Sequence, residues 1–536
     1  MRSLQETLLA SPAGELWKKI GVFPHHGIDL PLSALHSKNS AGIGEFFDLL
    51  PLIDWCKTLK MDVIQLLPLN DSGNDPSPYN ALSSCAINPI FLSLHALPYL
   101  EEFPDLQKKL EPMRGLTRSQ KIPYHEIKIQ KLYWLRLYYA SAGARILKLE
   151  AFQKFVAENH GWALPYGVFK ILKDLLEQSQ WQYWPEELKH LSKKRYDEIV
   201  ELYWEEICFY LVVQYLACIQ LKQVKEHAER ANVKIKGDVP ILVSVDSADV
   251  WHHQGFFDLT LAAGAPPDSY SNIQQYWGFP LYHWDVKKKS HYSWWKQRLQ
   301  MASHFFHLYR LDHVVGLFRI WAIPVGQQTT KGRFVPEDES LWIPQGKDIL
   351  QMMISSFPML PIAEDLGEVP PAVIHSLEEF GIPGTRVMRW QRYWHEDKRF
   401  IPFDQYPPLS MTCVSTHDSE TLAEWWRDHP EGSGTFAALK GWKYAPELTS
   451  VQRKEILFDS HHTSSIFHIN LLQEYFALFP DLVWTRLEDE RINIPGKILP
   501  TNWTYRFRPS VEEIVAHEGL QKEISEILTG ATQAEK

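Results

Sequence analysis

The sequence predicts an α/β fold, a (β/α)8 barrel, from three observations. The chain opens as strand, helix and strand, with a helical pattern at 42–59 running into an apolar stretch at 61–67, the mark of parallel architecture. Short apolar runs then alternate with helical patterns through the last third, giving roughly eight strands in all. Three of those runs end on a carboxylate, at Asp312, Glu364 and Asp418. The C-terminal ends of barrel strands share one mouth, so the three acids would converge there. A doubly wound open sheet is the competing arrangement.

In order, the first strand falls at 26–32, although Pro31 weakens it by removing a ladder donor. The helix at 42–59 shows Phe46, Phe47, Leu50, Ile53 and Trp55 on one broad face, and the second strand ends at Pro68. A loop at 70–80 follows, rich in Gly, Asn, Asp, Ser and Pro and containing Ser77-Pro78-Tyr79-Asn80; loops at strand C-termini are where α/β enzymes carry their sites. From about 92 to 228 the pattern turns helical, with helices at 127–142, 149–159 and one long helix from about 197 to 228. This reads as one large insertion in a single catalytic domain of residues 1–530, because strand pattern resumes directly after it at 233–238. A long cleft loop occupies 245–284, rich in Gly, Pro and aromatic residues, and a helix at 294–302 leads to a strand at 304–309. Beyond it come the strand 359–363, a helix with proline at its start and Gly381 at its stop, and the strands 384–390 and 411–416. A helix capped by Ser419 or Thr421 and a final strand at 481–485 complete the count, with a frayed tail at 531–536.

Composition bounds the rest. A hydrophobic fraction of 45% supports a large core, and 55 Lys+Arg against 65 Asp+Glu give a net charge of −10 without long runs. No basic face argues for nucleic acid. The N-terminus lacks the apolar segment of a signal peptide, and no window reads as a membrane span, so a cytoplasmic chain is expected. Cys56, Cys85, Cys208, Cys218 and Cys413 are scattered without metal spacing and read as reduced thiols. The 21 Trp and 22 Tyr exceed what a core explains, and many sit in polar surroundings. Rings of that kind line clefts that bind sugar faces.

Any one strand-end acid could as well cap a loop or pair with a cation. Three in the same setting, with aromatics and no cofactor fingerprint, point to glycoside chemistry. A retaining enzyme uses one carboxylate as nucleophile and a second as acid then base, roughly 5–5.5 Å apart. The third can hold sugar hydroxyls, Arg310 would keep Asp312 ionised, and His313 and His417 could donate to sugar hydroxyls. A metal-dependent barrel hydrolase uses similar residue types; its usual His-x-His pair on one strand is missing, and no metal ligand set or cofactor is assigned. A glucan-binding protein without chemistry is a third reading.

Arg310-Leu311-Asp312-His313 with Gly316, then Glu364-Asp365-Leu366-Gly367, then Ser415-Thr416-His417-Asp418 resemble the α-amylase superfamily of retaining glucosidic enzymes. More closely, the chain resembles the amylomaltases, or 4-α-glucanotransferases. Gly237-Asp238-Val239-Pro240-Ile241, Asp246-Ser247-Ala248-Asp249-Val250-Trp251, Gly264-Ala265-Pro266-Pro267-Asp268 and Tyr276-Trp277-Gly278-Phe279-Pro280 are similar to that family's segments, over about 27–508. The resemblance implies Asp312 as nucleophile, Glu364 as general acid/base and Asp418 as transition-state stabiliser. It also implies Arg310 and His417 around the donor sugar, Tyr79 and Trp277 as stacking aromatics, and Asp268 and Asn493 as polar contacts; His313, beside Asp312, and Ser77, in the Ser-Pro-Tyr stretch, complete the expected substrate contacts. The implied reaction cleaves an α-1,4 bond and passes the glucan to the 4-hydroxyl of another, without metal or organic cofactor. Maltooligosaccharides and glycogen- or starch-derived glucans would be its partners, and the chain a monomer or weak homo-oligomer. A hydrolase of the same superfamily is the nearest rival. This chain departs at Asn272-Ile273-Gln274-Gln275, where the family usually carries Thr-Gly-Gln, and lacks the C-terminal β-sandwich domain common in amylases.

Overall fold

Eight short runs become parallel strands in the computed structural model, which describes residues 3–266, 274–394 and 396–530. They are β1 (His25–Leu30), β2 (Val63–Leu66), β3 (Lys234–Val239), β4 (Leu308–Leu311), β5 (Leu360–Ala363), β6 (Gly384–Val387), β7 (Ser410–Cys413) and β8 (Phe467–Leu471). The sheet runs β6, β7, β8, β1, β2, β3, β4, β5, so first and last strands pair at its centre. It nearly closes where β5 meets β6: Ala363 N–H donates to the Pro383 carbonyl at 2.7 Å, and Thr385 Oγ1 donates to the Ala363 carbonyl at 2.8 Å. Asp365 clamps this seam, accepting from Thr385 N–H at 2.6 Å and from Arg386 at 2.8 Å. A Cβ on Gly384 would stand 2.4 Å from Asp365 Oδ2, so only glycine lets the clamp shut.

Period-two alternation decides which side chains face the barrel axis. On β3, Lys236 and Asp238 share one face; Arg310 of β4 pairs in register with Asp238, and Gln65 of β2 with both Asp29 of β1 and Lys236. Apolar layers usually fill such an axis, so this run of buried polar residues is unusual.

Between β2 and β3 lie the helices Tyr124–Ile146, Glu150–Leu175, Lys193–Leu202 and Trp204–Ala231, with shorter pieces. The helix expected from 197 to 228 is two helices, broken at Tyr203. Trp204–Ala231 is long and apolar enough to cross a membrane, contrary to the expectation of no such window, but 83% of its most apolar stretch is buried in protein. The insertion is tied down by buried ions. Asp71, just beyond β2, accepts from Lys128 and Lys170, each at 3.2 Å, and from Tyr166 at 2.8 Å; Glu45 accepts from Lys131 at 2.6 Å. Removing one member would leave an uncompensated buried charge, a loss of about 3–5 kcal/mol.

Three expectations are corrected. The 245–284 stretch is not an open loop: Phe257–Ala265 and Gln275–Tyr282 form an antiparallel pair within a four-stranded sheet completed by Ile320–Pro324 and Arg333–Val335. Register shifts between Asp258 and Gly264 break the alternation that would have marked these strands. The last barrel strand is Phe467–Leu471, not 481–485, which lies in turns. Its polar residues hide it: buried His468 bonds the Ser460 carbonyl, and buried Asn470 accepts Val414 N–H at 2.8 Å. The helix predicted over 42–59 begins as the 3-10 turn Phe46–Asp48 and becomes α-helical at Leu49–Thr58. All five cysteines are buried and free.

Candidate active site

The carboxylates stand at the same barrel end, just past β4, β5 and β7, and line one cleft of about 1360 Å³. Arg310 organises them. One guanidinium nitrogen contacts Asp312 Oδ1 at 2.7 Å and Asp238 Oδ2 at 3.1 Å; the other lies 3.8 Å from Glu364 Oε2. Buried without those acids, the cation would be costly.

Glu364 accepts two backbone N–H groups at 2.9 Å, from His313 on Oε2 and Leu366 on Oε1. His313 donates from a left-handed backbone, φ 43°, and Val314 N–H bonds the Glu364 carbonyl at 3.1 Å. The turn after β4 is thus stitched to the end of β5. Burial is the largest influence on the Glu364 carboxyl and pushes it up; Arg310 pulls it down, Asp312 pushes it up again, and the result is about 7.

Asp418 has a different setting. Its Oδ1 accepts from Asn493 Nδ2 at 2.6 Å, and its Oδ2 lies 3.2 Å from His417 Nε2, while 41% of its side chain stays open to the cleft. Burial pushes this carboxyl up, but His417 and Asn493 outweigh it and hold it well below the usual carboxylate range. For His417 the balance is mirrored: burial disfavours the cation and Asp418 restores it, leaving it above the ordinary histidine value.

Tyr79 joins the two sides. Its hydroxyl donates to Asp238 at 2.7 Å, lies 2.9 Å from His417 Nε2, and is kept protonated by burial and then by Asp238. Its ring stacks on His417 with centroids 5.6 Å apart, and Trp503 packs beside both. Across the cleft, Trp277 stands edge-on to His313 at 4.9 Å, carried by the antiparallel pair that overhangs the mouth. Ser77 lines the cleft, its N–H held by Asp75 at 2.9 Å.

The structure therefore brings together Asp312, Glu364, Asp418, Arg310, His313, His417, Tyr79, Ser77, Trp277 and Asn493. Asp268 lies outside the described residues. Sequence reasoning missed Trp503 and assigned no role to Asp238, although Asp238 sits near a strand end like the others and the same rule would have found it. It also missed Asp29, Gln65 and Lys236, which no strand-end signal marks. Among the described residues, no group of three or more His, Cys, Asp or Glu could hold a metal ion.

Comparison with known proteins gives the family. The sequence profile of the 4-alpha-glucanotransferases, glycoside hydrolase family 77, matches residues 30–512. Over 522 residues the chain is 45% identical to a 4-alpha-glucanotransferase of Chlamydia caviae, covering 97% of each chain. It is 31% identical over 469 residues to one of Thermus thermophilus, covering 83% of this chain and 87% of that one. The fold superposes on the amylomaltase from Streptococcus agalactiae in complex with acarbose with a TM-score of 0.79 at 23% identity, covering 94% of this chain and 99% of that one. A match that spans the barrel, the insertion and every element that carries the cleft has one meaning: this chain belongs to the 4-alpha-glucanotransferase family, the amylomaltases.

Proposed function

We propose that Asp312 is the nucleophile, Glu364 the general acid and then base, and Asp418 the stabiliser of transition-state charge in a retaining transfer of α-1,4-glucans. The observation that carries this assignment is the unequal setting of two acids in one cleft: Glu364 is met by two backbone N–H groups and pushed up to about 7 chiefly by burial, while Asp418 is met by His417 and Asn493 and held well below its usual range. Environments that push two acids apart assign one as proton donor and the other as a fixed anion. Asp312, in contact with Arg310 and facing the cleft, is left to attack.

In the first half, Asp312 forms a bond to the anomeric carbon as the glycosidic bond breaks, and Glu364 gives its proton to the departing oxygen. In the second half, Glu364 takes the proton of an acceptor 4-hydroxyl, whose oxygen displaces Asp312 from the anomeric carbon. Arg310 and the N–H groups of His313 and Leu366 fix the two carboxyls relative to each other. Asp418, held by His417 and Asn493, faces the charge that grows on the sugar ring. Tyr79 and Trp277 offer ring faces and edges to the glucan, and Ser77, Asp268 and Asn493 polar contacts.

Donors and acceptors in this reading are maltooligosaccharides and glycogen- or starch-derived glucans. The overhanging antiparallel pair holds the acceptor and keeps water from the covalent intermediate. The proposed setting is cytoplasmic, supported by five buried free thiols, and the proposed state a monomer or weak homo-oligomer. Incubation with maltotriose tests the reading. Transfer gives free glucose with a ladder of longer oligosaccharides, whereas glucose and maltose alone would overturn it.

A further inference from the structure

Asp418 and the residue that holds it, Asn493, meet across two irregular segments. Asp418 stands in the turn between β7 and the helix Leu422–Asp428, and Asn493 in the stretch that follows the 3-10 helix Leu487–Glu490. Neither segment has the ladder or helical bonds that would fix it, so side chains must anchor its backbone. Arg491 does so for both. Its Nε donates to the Asn493 carbonyl at 3.1 Å. Its Nη1 faces the other segment, 3.3 Å from Glu424 Oε2 and 3.5 Å from Glu420 Oε1. Glu420 follows Asp418 by two residues, and Glu424 lies in the first turn of the helix Leu422–Asp428. A closed circuit results. It runs from Asp418 to Asn493 by the 2.6 Å hydrogen bond, from the Asn493 carbonyl to Arg491, and through Glu420 back to the turn that carries Asp418.

Both halves of the circuit are tied to the body of the protein. Glu420 Oε2 lies 3.5 Å from Arg389, whose Nη2 donates to the Val414 carbonyl just past β7 at 3.3 Å. On the other half, the Ile492 carbonyl accepts Trp503 N–H at 2.8 Å. The turn that presents Asn493 thus also sets the ring packed against Tyr79 and His417. The Arg491 side chain is 12% exposed and that of Glu424 9%, so this pair is shielded from the solvent screening that weakens surface ion pairs. A planar guanidinium suits the place: one nitrogen serves the carbonyl while another faces the two acids, a fork that lysine lacks.

We propose that Arg491 is a positioning residue for the transfer reaction: it locks the Asn493 segment to the Asp418 turn, so that Asn493 Nδ2 stays aimed at Asp418 Oδ1. The inference rests on the role assigned above to Asp418. Arg491 does not line the cleft; it acts through Asn493. Without the lock, Asp418 would face the charge growing on the sugar ring for only part of the time. The loss then falls on the transition state and spares the binding of glucan in the ground state.

Arg491→Lys tests this, because it keeps a cation for Glu420 and Glu424 but gives up the fork. Arg491→Met/Glu424→Gln removes both partners of the buried pair and leaves neither uncompensated, so it carries the test if the single variant does not fold. kcat and KM on maltotriose are measured for each, alone and combined with Asn493→Ala. We expect Arg491→Lys to lose about tenfold in kcat with KM within about twofold, the pattern of an interaction made in the transition state. In the Asn493→Ala background the same substitution should cost about twofold or less, since residues that act through one contact are not additive. A merely structural role would cost the same factor in both backgrounds. That result overturns the proposal, as does a loss confined to KM or an unimpaired kcat. Asp418→Asn is assayed alongside. An inactive Asp418→Asn beside an unimpaired or additive Arg491→Lys refutes only this inference, whereas an active Asp418→Asn refutes the role of Asp418 and this inference with it.

Discussion

The two sides of the cleft are built from the same residue class and made to behave oppositely. On the β5 side, Glu364 is screened from solvent, 13% exposed, and its hydrogen-bond donors are neutral backbone N–H groups. On the β7 side, Asp418 is more open to the cleft and is met by an imidazole and an amide. Burial acts upward on both carboxyls; on Glu364 Asp312 works against Arg310, whereas His417 and Asn493 both favour the anion of Asp418, and that difference decides the outcome. A charged donor favours an anion about twice as strongly as a neutral one. The lesson is that the shared anionic ancestry of two residues says little about their role, which is set by what stands one contact away.

The largest effect should come from the group between the two sides. Asp312→Asn is expected to lose on the order of 10⁴-fold or more in kcat while still binding glucan in a fluorescence or calorimetric titration. Activity within about tenfold of the parent, roughly 1.4 kcal/mol of barrier, would reassign the nucleophile. Next, Glu364→Gln should cost about 10²–10⁴-fold on maltotriose, yet far less on an α-maltotriosyl fluoride, whose leaving group needs no proton. Equal losses on both donors would remove Glu364 from the acid role and collapse the contrast. The pH dependence sharpens the contrast further. Glu364 must be protonated in the free enzyme, so kcat/KM should decline as pH rises through about 7, and a profile flat to pH 9 would contradict the assignment. The same sign holds for stability. A carboxyl raised in the folded state contributes stability at low pH and loses it as pH rises through about 7, so Glu364→Gln should raise the melting temperature at pH 8 more than at pH 5. The smallest effect is expected from Asn493→Ala. It deletes one hydrogen bond to a charged group, about 1.5–3 kcal/mol, and should reduce kcat/KM by about ten- to a hundredfold. No change there would mean that His417 alone suffices for Asp418.

Most of the barrel was legible because its strands are short apolar runs with punctuation at both ends, and Asp312, Glu364 and Asp418 were legible because a charge at the end of such a run is conspicuous. What escaped was polar residues inside strands. His468 and Asn470 disguise β8 as a loop, since their hydrogen bonds to Ser460 and Val414 are made across the fold and leave no local trace. Asp29, Gln65 and Lys236 escaped for the same reason: their partners lie on neighbouring strands, far apart along the chain. The antiparallel sheet over the cleft escaped because bulges spoil its alternation. Trp503 is one ring among many until its contacts with Tyr79 and His417 are seen.

The helical insertion between β2 and β3 has a consequence for how the chain folds. Those two strands pair side by side but are joined through the whole insertion, so pairing them directly means closing a very long loop. Loop closure grows only with the logarithm of length, by about 0.6 kcal/mol per doubling, but long-range parallel pairing is slow. The helix Trp204–Ala231 packs on Glu150–Leu175 and on Tyr124–Ile146, contacts that span less of the chain than the β2–β3 pairing and can therefore form earlier. Once they have done so, Lys128 and Lys170 can seize Asp71 and draw the end of β2 toward the start of β3. The insertion then works as a splint for the first half of the barrel, with β1 waiting for β8, the last strand to be synthesised, before the sheet can be completed.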